Sequence, residues 1–551
     1  MSAKRSASRW GIGRSRWAWW VLAALVYLGL ASYQLALPGL HYDEAKEAGV
    51  PALDLLTGAA GAPFRGVTLQ VGNLHLPVMV QDYIGAVNVY LALPFLALTG
   101  VGVPNLRALS VLTGLAALFL AAVTVSTWHS PPGDAIAPGS RLPRLTWAGV
   151  AVAWLLAASP SFVFWSRQGL FVTNLIQPLA WLCLWQGTRW WTTGRPRALI
   201  IAAVAGGLAL YAKLLAVWVI GPWLLGLALA WLWRRQDPAR PALSPQLLVG
   251  ALIAFAMPLL PLLYFNLQTQ GTFSTLWRNA WHSYYGVDNL ALLDNAQVRW
   301  MQLWAVLRGD QFWYLGGLYA NPLAPWFVVL GIAGGFWAAP RKMIVVVGVT
   351  AAAWLASLVT ISDLFITHYA LLQPLIVAAA ALGLALWTGG DATRRLPAVA
   401  LIVVWVAADA RAAYLYHDAL ARSGGLAAHS DASYELAAYL QENRLDAPVA
   451  LDWGMDATVR FLSAGAVRPI EIFGYASPAA PDADFTARLA PFLDNPDNVY
   501  LLHATGSTVF EGRREAFLLA AAARDRPARL VRDFAQRDGT PLYEIWRALP
   551  Q

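Results

Sequence analysis

Apolar runs long enough to cross a bilayer recur along this chain from Trp17 to about Tyr414, and that repetition leaves few architectures open. Inside hydrocarbon every backbone polar group needs a partner within the protein, so such runs fold as packed helices. With 58% hydrophobic residues and 13% charged ones, the composition is that of a polytopic membrane protein. The 28 tryptophans suit interfacial belts and aromatic-lined cavities. Net charge is +8, carried by arginine, since lysine occurs only at 4, 46, 213 and 342, a bias that GC-rich coding accounts for. The excess lies largely in short loops, where it sets orientation, so it does not signal nucleic-acid binding. Cys183 is the only cysteine, which rules out an intrachain disulfide. The first apolar segment lacks a small-residue cleavage site and reads as a retained helix.

The basic segment 1–16, with Lys4, Arg5, Arg9, Arg14 and Arg16, is expected in the cytoplasm. The loops at Arg141/Arg144, Arg189/Arg195/Arg197, Arg234/Arg235/Arg240, Arg341/Lys342 and Arg394/Arg395 should share that side. Spans are expected near 17–37, 106–127, 146–162, 171–187, 197–212, 214–233, 245–267, 321–339, 343–361, 368–388 and 396–414. The apolar run Tyr83–Leu98 also resembles a span. Counting it breaks the alternation of basic loops, and it is only about 16 residues long with Asn88 and Pro94 inside. Read as a helix lying along the interface, it leaves eleven spans, the N-terminus inside and the C-terminus outside. The transmembrane domain then covers 17–423, with long outer loops at 38–105 and 268–320, and loops of that length are usually functional.

From Gly424 the composition changes, and 424–551 reads as a soluble α/β domain on the outer side. Ser430–Asn443 looks helical with Asp431 as N-cap. Strand-like runs at Val449–Asp452, Ile470–Phe473 and Val499–His503 alternate with helical patterns at Ala457–Leu462, Phe485–Leu493 and Arg513–Ala523. Arg529–Trp546, with Asp538-Gly539 at its centre, suggests a closing hairpin. The domain has no phosphate-binding glycine loop, metal-spaced Cys/His set or nucleophile elbow. Its expected role is to cover the site or dock an acceptor.

Polar groups gather at one membrane face. Asp43-Glu44 follows the first span, and from position alone the pair is either loop carboxylates with a capping role or working acids. Arg107 stands at the outer end of the second span, Arg167 in the short loop after Pro160, Lys213 at an outer turn, and Asp363 and His368-Tyr369 at the start of the tenth span. Singly, such cations snorkel to headgroups, and His368 reads as an interface histidine. Together they form an acid pair facing cations. A carboxylate can take a proton from an incoming hydroxyl while cations hold a departing phosphate. Arg107, Arg167, Lys213, His368 and Tyr369 are therefore candidates for binding a donor phosphate. His75, Asp82, Arg278 and His282 are loop or acceptor candidates. Trp313, Tyr314 and Tyr319 could stack on a sugar or sit in the interface.

This arrangement resembles the glycosyltransferase C superfamily, in particular its protein O-mannosyltransferase and aminoarabinose-transferase branch. The resemblance rests on a first span followed by Asp43-Glu44, then the Leu74-His75-Leu76-Pro77 to Pro94 stretch and Gly100. Asn105-Leu106-Arg107 through Gly114, Ser159-Pro160 with Ser166-Arg167, and His368-Tyr369 through Pro374 complete it. It implies a polyprenyl-phosphate sugar donor, transfer with inversion, Asp43 as general base, Glu44 as its support or an acceptor binder, and Arg107 as structural or phosphate-facing. Two places depart from the pattern. Relatives often carry Lys-Pro-Pro or His-Pro-Pro where this chain has His75-Leu76-Pro77. Many carry a second acid where it has Gln168, Thr173 and Asn174. No cofactor follows with certainty from the sequence; a divalent metal is left open but is not supported by it.

The expected partners are a polyprenyl-phosphate-linked sugar, a glycan, lipid or protein acceptor, and the lipid bilayer of the cell membrane, with no nucleic acid. A lipid-linked glycan polymerase or ligase, leaning on Arg278 and His282, is the alternative within enzymes. A transporter of lipid or glycan is the alternative outside them, although its charges would lie near the midplane of repeated halves.

Overall fold

The computed structural model describes residues 4–59, 63–130, 144–172, 176–233, 241–389 and 391–550, and the side chains of 4–14 and 392 are outside that description. Lys4, Arg5, Arg9 and Arg14 as charges, together with Arg141, Thr173, Asn174, Arg234, Arg235 and Arg240, therefore lie outside the described residues.

A helix stands at each of the eleven expected places. Five are long and apolar enough to cross a membrane on those grounds alone: Val103–His129, Leu214–Trp233, Pro245–Thr269, Ile366–Thr388 and Thr393–Ser423. Trp147–Ala158 and Pro160–Arg167, bent by 66°, would make a sixth as one broken span. By length and composition the described helices thus supply five or six spans, short of eleven. Others among the described helices are apolar but shorter, as Pro196–Ala212 and Ala324–Ala338 are. A cut falls at Ser159-Pro160, and the expected loop carrying Arg167 is in fact the short helix Pro160–Arg167. The run at 83–98 forms the 13-residue helix Val87–Thr99. Its length of about 20 Å falls well short of the hydrocarbon thickness.

Helices Ala324–Ala338 and Tyr369–Thr388 pack through small residues. A β-carbon on Gly383 would lie 2.1 Å from the Gly331 carbonyl oxygen, and one on Gly335 would lie 2.6 Å from the Gly383 α-carbon. This is the close backbone approach that a small-xxx-small pattern permits. Helix Pro245–Thr269 buries little of its surface and presents Leu252, Ile253, Met257 and Leu260 outward, as a lipid-facing helix would.

Four short strands, β1 (Thr68–Val71), β2 (Leu74–Pro77), β3 (Met79–Gln81) and β4 (Ile84–Gly85), form two antiparallel pairs before Val87–Thr99. Five more strands, β5 (Val449–Ala450), β6 (Ile470–Glu471), β7 (Val499–His503), β8 (Ala528–Ala535) and β9 (Pro541–Ala548), form one sheet in the order β6-β5-β7-β9-β8. β5 runs parallel to β6 and β7, and the expected hairpin closes the sheet as β8–β9. All of β7 is buried. Val499 and Leu501 join Leu436, Leu440 and Val459 on one face, while Tyr500 and Leu502 join Leu489 and Phe517 on the other. The period-2 alternation thus feeds two helical layers. Asp431 precedes helix Ala432–Glu442 without capping it, because its carboxylate is held by Arg537 at 2.6 and 2.9 Å.

Candidate active site

The segment after the first helix is built around His41. Its imidazole caps the short helix Tyr42–Glu44, with Nδ1 accepting from the Asp43 backbone N–H at 3.2 Å. Glu44 reaches back to the His41 N–H at 3.3 Å, completing a capping box. The chain continues as a π-helical turn, Ala45–Gly49, and then as helix Val50–Thr57. Turns of this kind are found disproportionately at functional sites.

The acid pair is divided. Glu44 points inward and is fully buried against Arg107, which donates to both its oxygens, at 2.9 and 2.8 Å. The same guanidinium donates to the carbonyls of Leu35, Pro38 and Gly39 at 3.2, 2.6 and 3.0 Å. Gln168 adds a hydrogen bond to Glu44 at 3.2 Å and another to His429 Nδ1 at 3.1 Å, while Tyr314 donates to the Gln168 oxygen at 3.0 Å. Tyr314 also stacks on His429 at 3.9 Å, so this aromatic sits in the buried network and not in a membrane belt. Burial alone would raise the Glu44 carboxyl. The Arg107 charge and hydrogen bonds overcome it and hold the group below the ordinary carboxylate range. Burial drives His41 down and His429 well down, so both rings are neutral here.

Arg107 and Arg167 are therefore not free to meet a phosphate. Arg167 donates to the carbonyls of Gln34 and Leu37 at 2.7 and 2.8 Å and approaches His417 Nδ1 at 3.2 Å. The two guanidiniums clamp one turn, 34–39, from below. Of the two roles left open for Arg107, the contacts match the structural one.

Asp43 is on the other side of the same turn and remains partly exposed, with 29% of its side chain open. Its carboxylate lies 3.8 Å from His41 Nδ1, but that nitrogen already accepts a backbone N–H and offers Asp43 no proton. One helical turn on, Glu47 is buried and accepts from Gln81 at 3.2 Å. Burial pushes the Glu47 carboxyl up to about 8; Lys213 pulls against the rise and Asp43 adds to it. Lys213 is within electrostatic reach of both Glu47 and His368, and among the described residues its ammonium has no hydrogen bond or ion pair. The lysine is held at an extended break between Pro196–Ala212 and Leu214–Trp233, where it bridges to Ile84 of β4. That contact needs glycine next door, since a β-carbon on Gly85 would lie 2.3 Å from the Tyr211 carbonyl oxygen.

The remaining candidates divide. His368 and Tyr369 face Arg299: the guanidinium lies 3.3 Å from His368 Nδ1, and the Tyr369 hydroxyl donates to the Arg299 carbonyl at 2.5 Å. Arg299 itself is committed to the Ser357 and Phe365 carbonyls and Gln302. Tyr285 and Asp363 border the same space, with Asp43 and Asp363 both acting on Tyr285. Asp82 is a tether, paired with Arg65 at 2.6 and 2.7 Å and accepting from Thr275 at 2.8 Å. His75, Arg278 and His282 are exposed and join none of these groups. The structure thus gathers Asp43, Lys213 and His368 around residues the sequence reading did not single out: Glu47, Gln81 and Arg299. Glu47 carried a signal, being four residues from Asp43 on a helical segment. Arg299 carried none beyond its place in an amphipathic helix.

A many-helix bundle, an acid-bearing turn after its first helix and a small appended sheet together make a fold that is found among solved structures. Among solved structures, the chain is similar to ArnT from Cupriavidus metallidurans in the apo state, with TM-score 0.56 and 12% identity over 98% of both chains. It is also similar to ArnT from the same organism bound to undecaprenyl phosphate, with TM-score 0.54 and 14% identity over 96% of this chain and 98% of that one. No family model matches the chain, and no curated protein matches it. At such identities the likeness is one of fold.

Proposed function

We propose that the chain is a membrane glycosyltransferase that moves a sugar from a polyprenyl-phosphate donor to an acceptor at the outer membrane face, with inversion. The observation that carries this reading is the division of two adjacent acids. Glu44 is locked to Arg107, while Asp43 stands partly open with no donor on its carboxylate among the described residues. In the proposed step the acceptor hydroxyl loses its proton to Asp43 as its oxygen bonds to the anomeric carbon. The bond from that carbon to the phosphate oxygen breaks on the opposite face, and its electrons leave with polyprenyl phosphate. Lys213, whose ammonium has no hydrogen bond or ion pair among the described residues, binds that phosphate and offsets its growing charge. Helix Leu214–Trp233 begins one residue later and presents Leu225, Leu229 and Leu232 outward, a surface along which a polyprenyl tail can lie. Glu47, raised by burial, is protonated at neutral pH and can donate to the sugar or the phosphate.

The fold likeness to an ArnT structure bound to undecaprenyl phosphate supports the donor class. In this reading the chain is a multi-pass protein of the cell membrane, with the basic N-terminus in the cytoplasm and residues 424–551 outside as a separate domain. The acceptor is a glycan, lipid or protein. The test is to incubate the purified protein with a panel of polyprenyl-phosphate sugars and acceptors and follow release of free polyprenyl phosphate. Release by the wild type and none by Asp43→Asn is expected. No release from any donor would sink the reading.

A further inference from the structure

The C-terminal sheet holds a cavity of about 410 Å³ that the transfer chemistry does not use. Its place follows from topology. β5 and β7 are adjacent and parallel, but the helices after them leave on opposite faces. Asp456–Leu462 packs with Val459 among the residues of one layer, and Arg513–Ala522 packs with Phe517 in the other. Where successive connections diverge in this way, a crevice opens beyond the carboxyl ends of the strands, and open α/β sheets bind ligands there. Asp452 follows β5 and His503 ends β7, and both line the cavity.

The lining of this space sets His503, Arg514 and a helix N-terminus beside the carboxylates of Asp452, Glu511 and Glu515. His503 is more than nine-tenths buried. Its Nδ1 lies 3.0 Å from Asp452 Oδ2, and no hydrogen bond to its Nε2 is found among the described residues. Asp452 accepts also from Thr508 at 2.5 Å and from the Trp453 N–H at 2.8 Å, and it positions the imidazole. Arg514 uses Nη2 on the His503 carbonyl and on Glu544, at 2.5 and 2.7 Å, and leaves Nε and Nη1 without a partner among the described residues. The backbone N–H groups of Arg513, Arg514 and Glu515 open a ten-residue helix with no capping side chain. Such a terminus favours an anion. Gly512, at φ 78°, makes the turn that aims it. The acids Glu511 and Glu515 are exposed at the rim.

We infer that this crevice is a binding site for a small hydroxylated molecule bearing a phosphate or carboxylate, its anion held by the helix terminus and Arg514 and a hydroxyl held by His503. The volume is within the range of small-ligand pockets and too large for a bare anion. Phe510, at the cavity wall, packs against Tyr475 at 5.9 Å, and Tyr475 meets Tyr42, next to Asp43, at 3.0 Å. The crevice is therefore in contact with the candidate active site through two side chains.

Calorimetry on the full-length protein in detergent would test this with four probes: glucose 1-phosphate, glucuronate, inorganic phosphate and glucose. Binding of glucose 1-phosphate or glucuronate is expected, at least tenfold tighter than inorganic phosphate and with no detectable binding of glucose. Arg514→Gln should weaken it tenfold or more. Thr505→Glu, an exposed change that places a negative charge at the mouth, should do the same without touching the Glu544 pair. Asp43→Asn should bind as the wild type does, which separates failure of this site from failure of the transfer reading. No binding of either anionic sugar, glucose binding as tightly as glucose 1-phosphate, or unchanged affinity in a folded Thr505→Glu would overturn the inference.

Discussion

Arg107 meets Glu44 as a two-pronged ion pair at 2.8 and 2.9 Å, with both side chains essentially excluded from solvent. Its residue separation and burial make it the fixed point from which the face bearing Asp43 is built.

Removing one member of that pair should cost stability before it costs chemistry. Glu44→Gln leaves a buried guanidinium without its counter-charge, a loss of about 3–5 kcal/mol by analogy with other buried pairs. Thermal unfolding in detergent should show a lower Tm for Glu44→Gln and for Arg107→Met, with part of the loss recovered in the double variant. A Tm equal to wild type in either single variant would contradict the structural role.

Asp43→Asn should behave in the opposite way. The side chain is partly open and its carboxylate holds no hydrogen bond among the described residues, so stability should remain within about 0.5 kcal/mol of wild type. Turnover should fall by about 10²–10⁴ if the carboxylate is the base. Sugar transfer at the wild-type rate would remove Asp43 from the mechanism.

Lys213→Gln tests phosphate binding separately. The ammonium pairs with nothing among the described residues, so the variant should fold normally. Its KM for the polyprenyl-phosphate sugar should rise and its kcat fall, since the charge acts on both the bound and the departing phosphate. Donor binding can be measured directly with polyprenyl phosphate, and unchanged affinity would relocate the anion site.

Glu47 predicts a pH effect with a definite sign. Burial lifts its carboxyl to about 8 in the folded protein, above the value of an exposed glutamate. The folded state therefore holds a proton that the unfolded state has lost between the two values, and stability from this group falls as pH rises through that window. The ceiling is about 1.4 kcal/mol per pH unit. Glu47→Gln should be more stable than wild type at pH 8, with the advantage shrinking towards pH 5. Parallel stability curves across that range would refute the shift.

The sequence read most of the helices and strands, because apolar length and period are local properties. Demoting 83–98 from span to interfacial helix put Arg107 on the Asp43 side, and the structure does bring that arginine to the acid pair. The purpose of the arginines was not legible. Whether a guanidinium at a helix end faces a ligand or, as Arg107 and Arg167 do, two or three backbone carbonyls depends on how the 34–39 turn folds back, which no local pattern encodes. The same applies to Asp82, whose loop charge is matched by Arg65 from 17 residues earlier. Glu47 was within reach of a helical spacing argument, but its burial beside Lys213 is a tertiary fact.

The clamp on 34–39 also has a mechanical meaning. Arg107 and Arg167 together hold the carbonyls of Gln34, Leu35, Leu37, Pro38 and Gly39, so there is no hinge between the first helix and Asp43. The wall that bears Asp43 is thus tied to the helices that carry Arg107 and Arg167. In the proposed reaction, room for an incoming acceptor would come from the opposite wall, where Tyr284 of the 268–320 segment touches Tyr475 of the C-terminal sheet domain through a hydrogen bond.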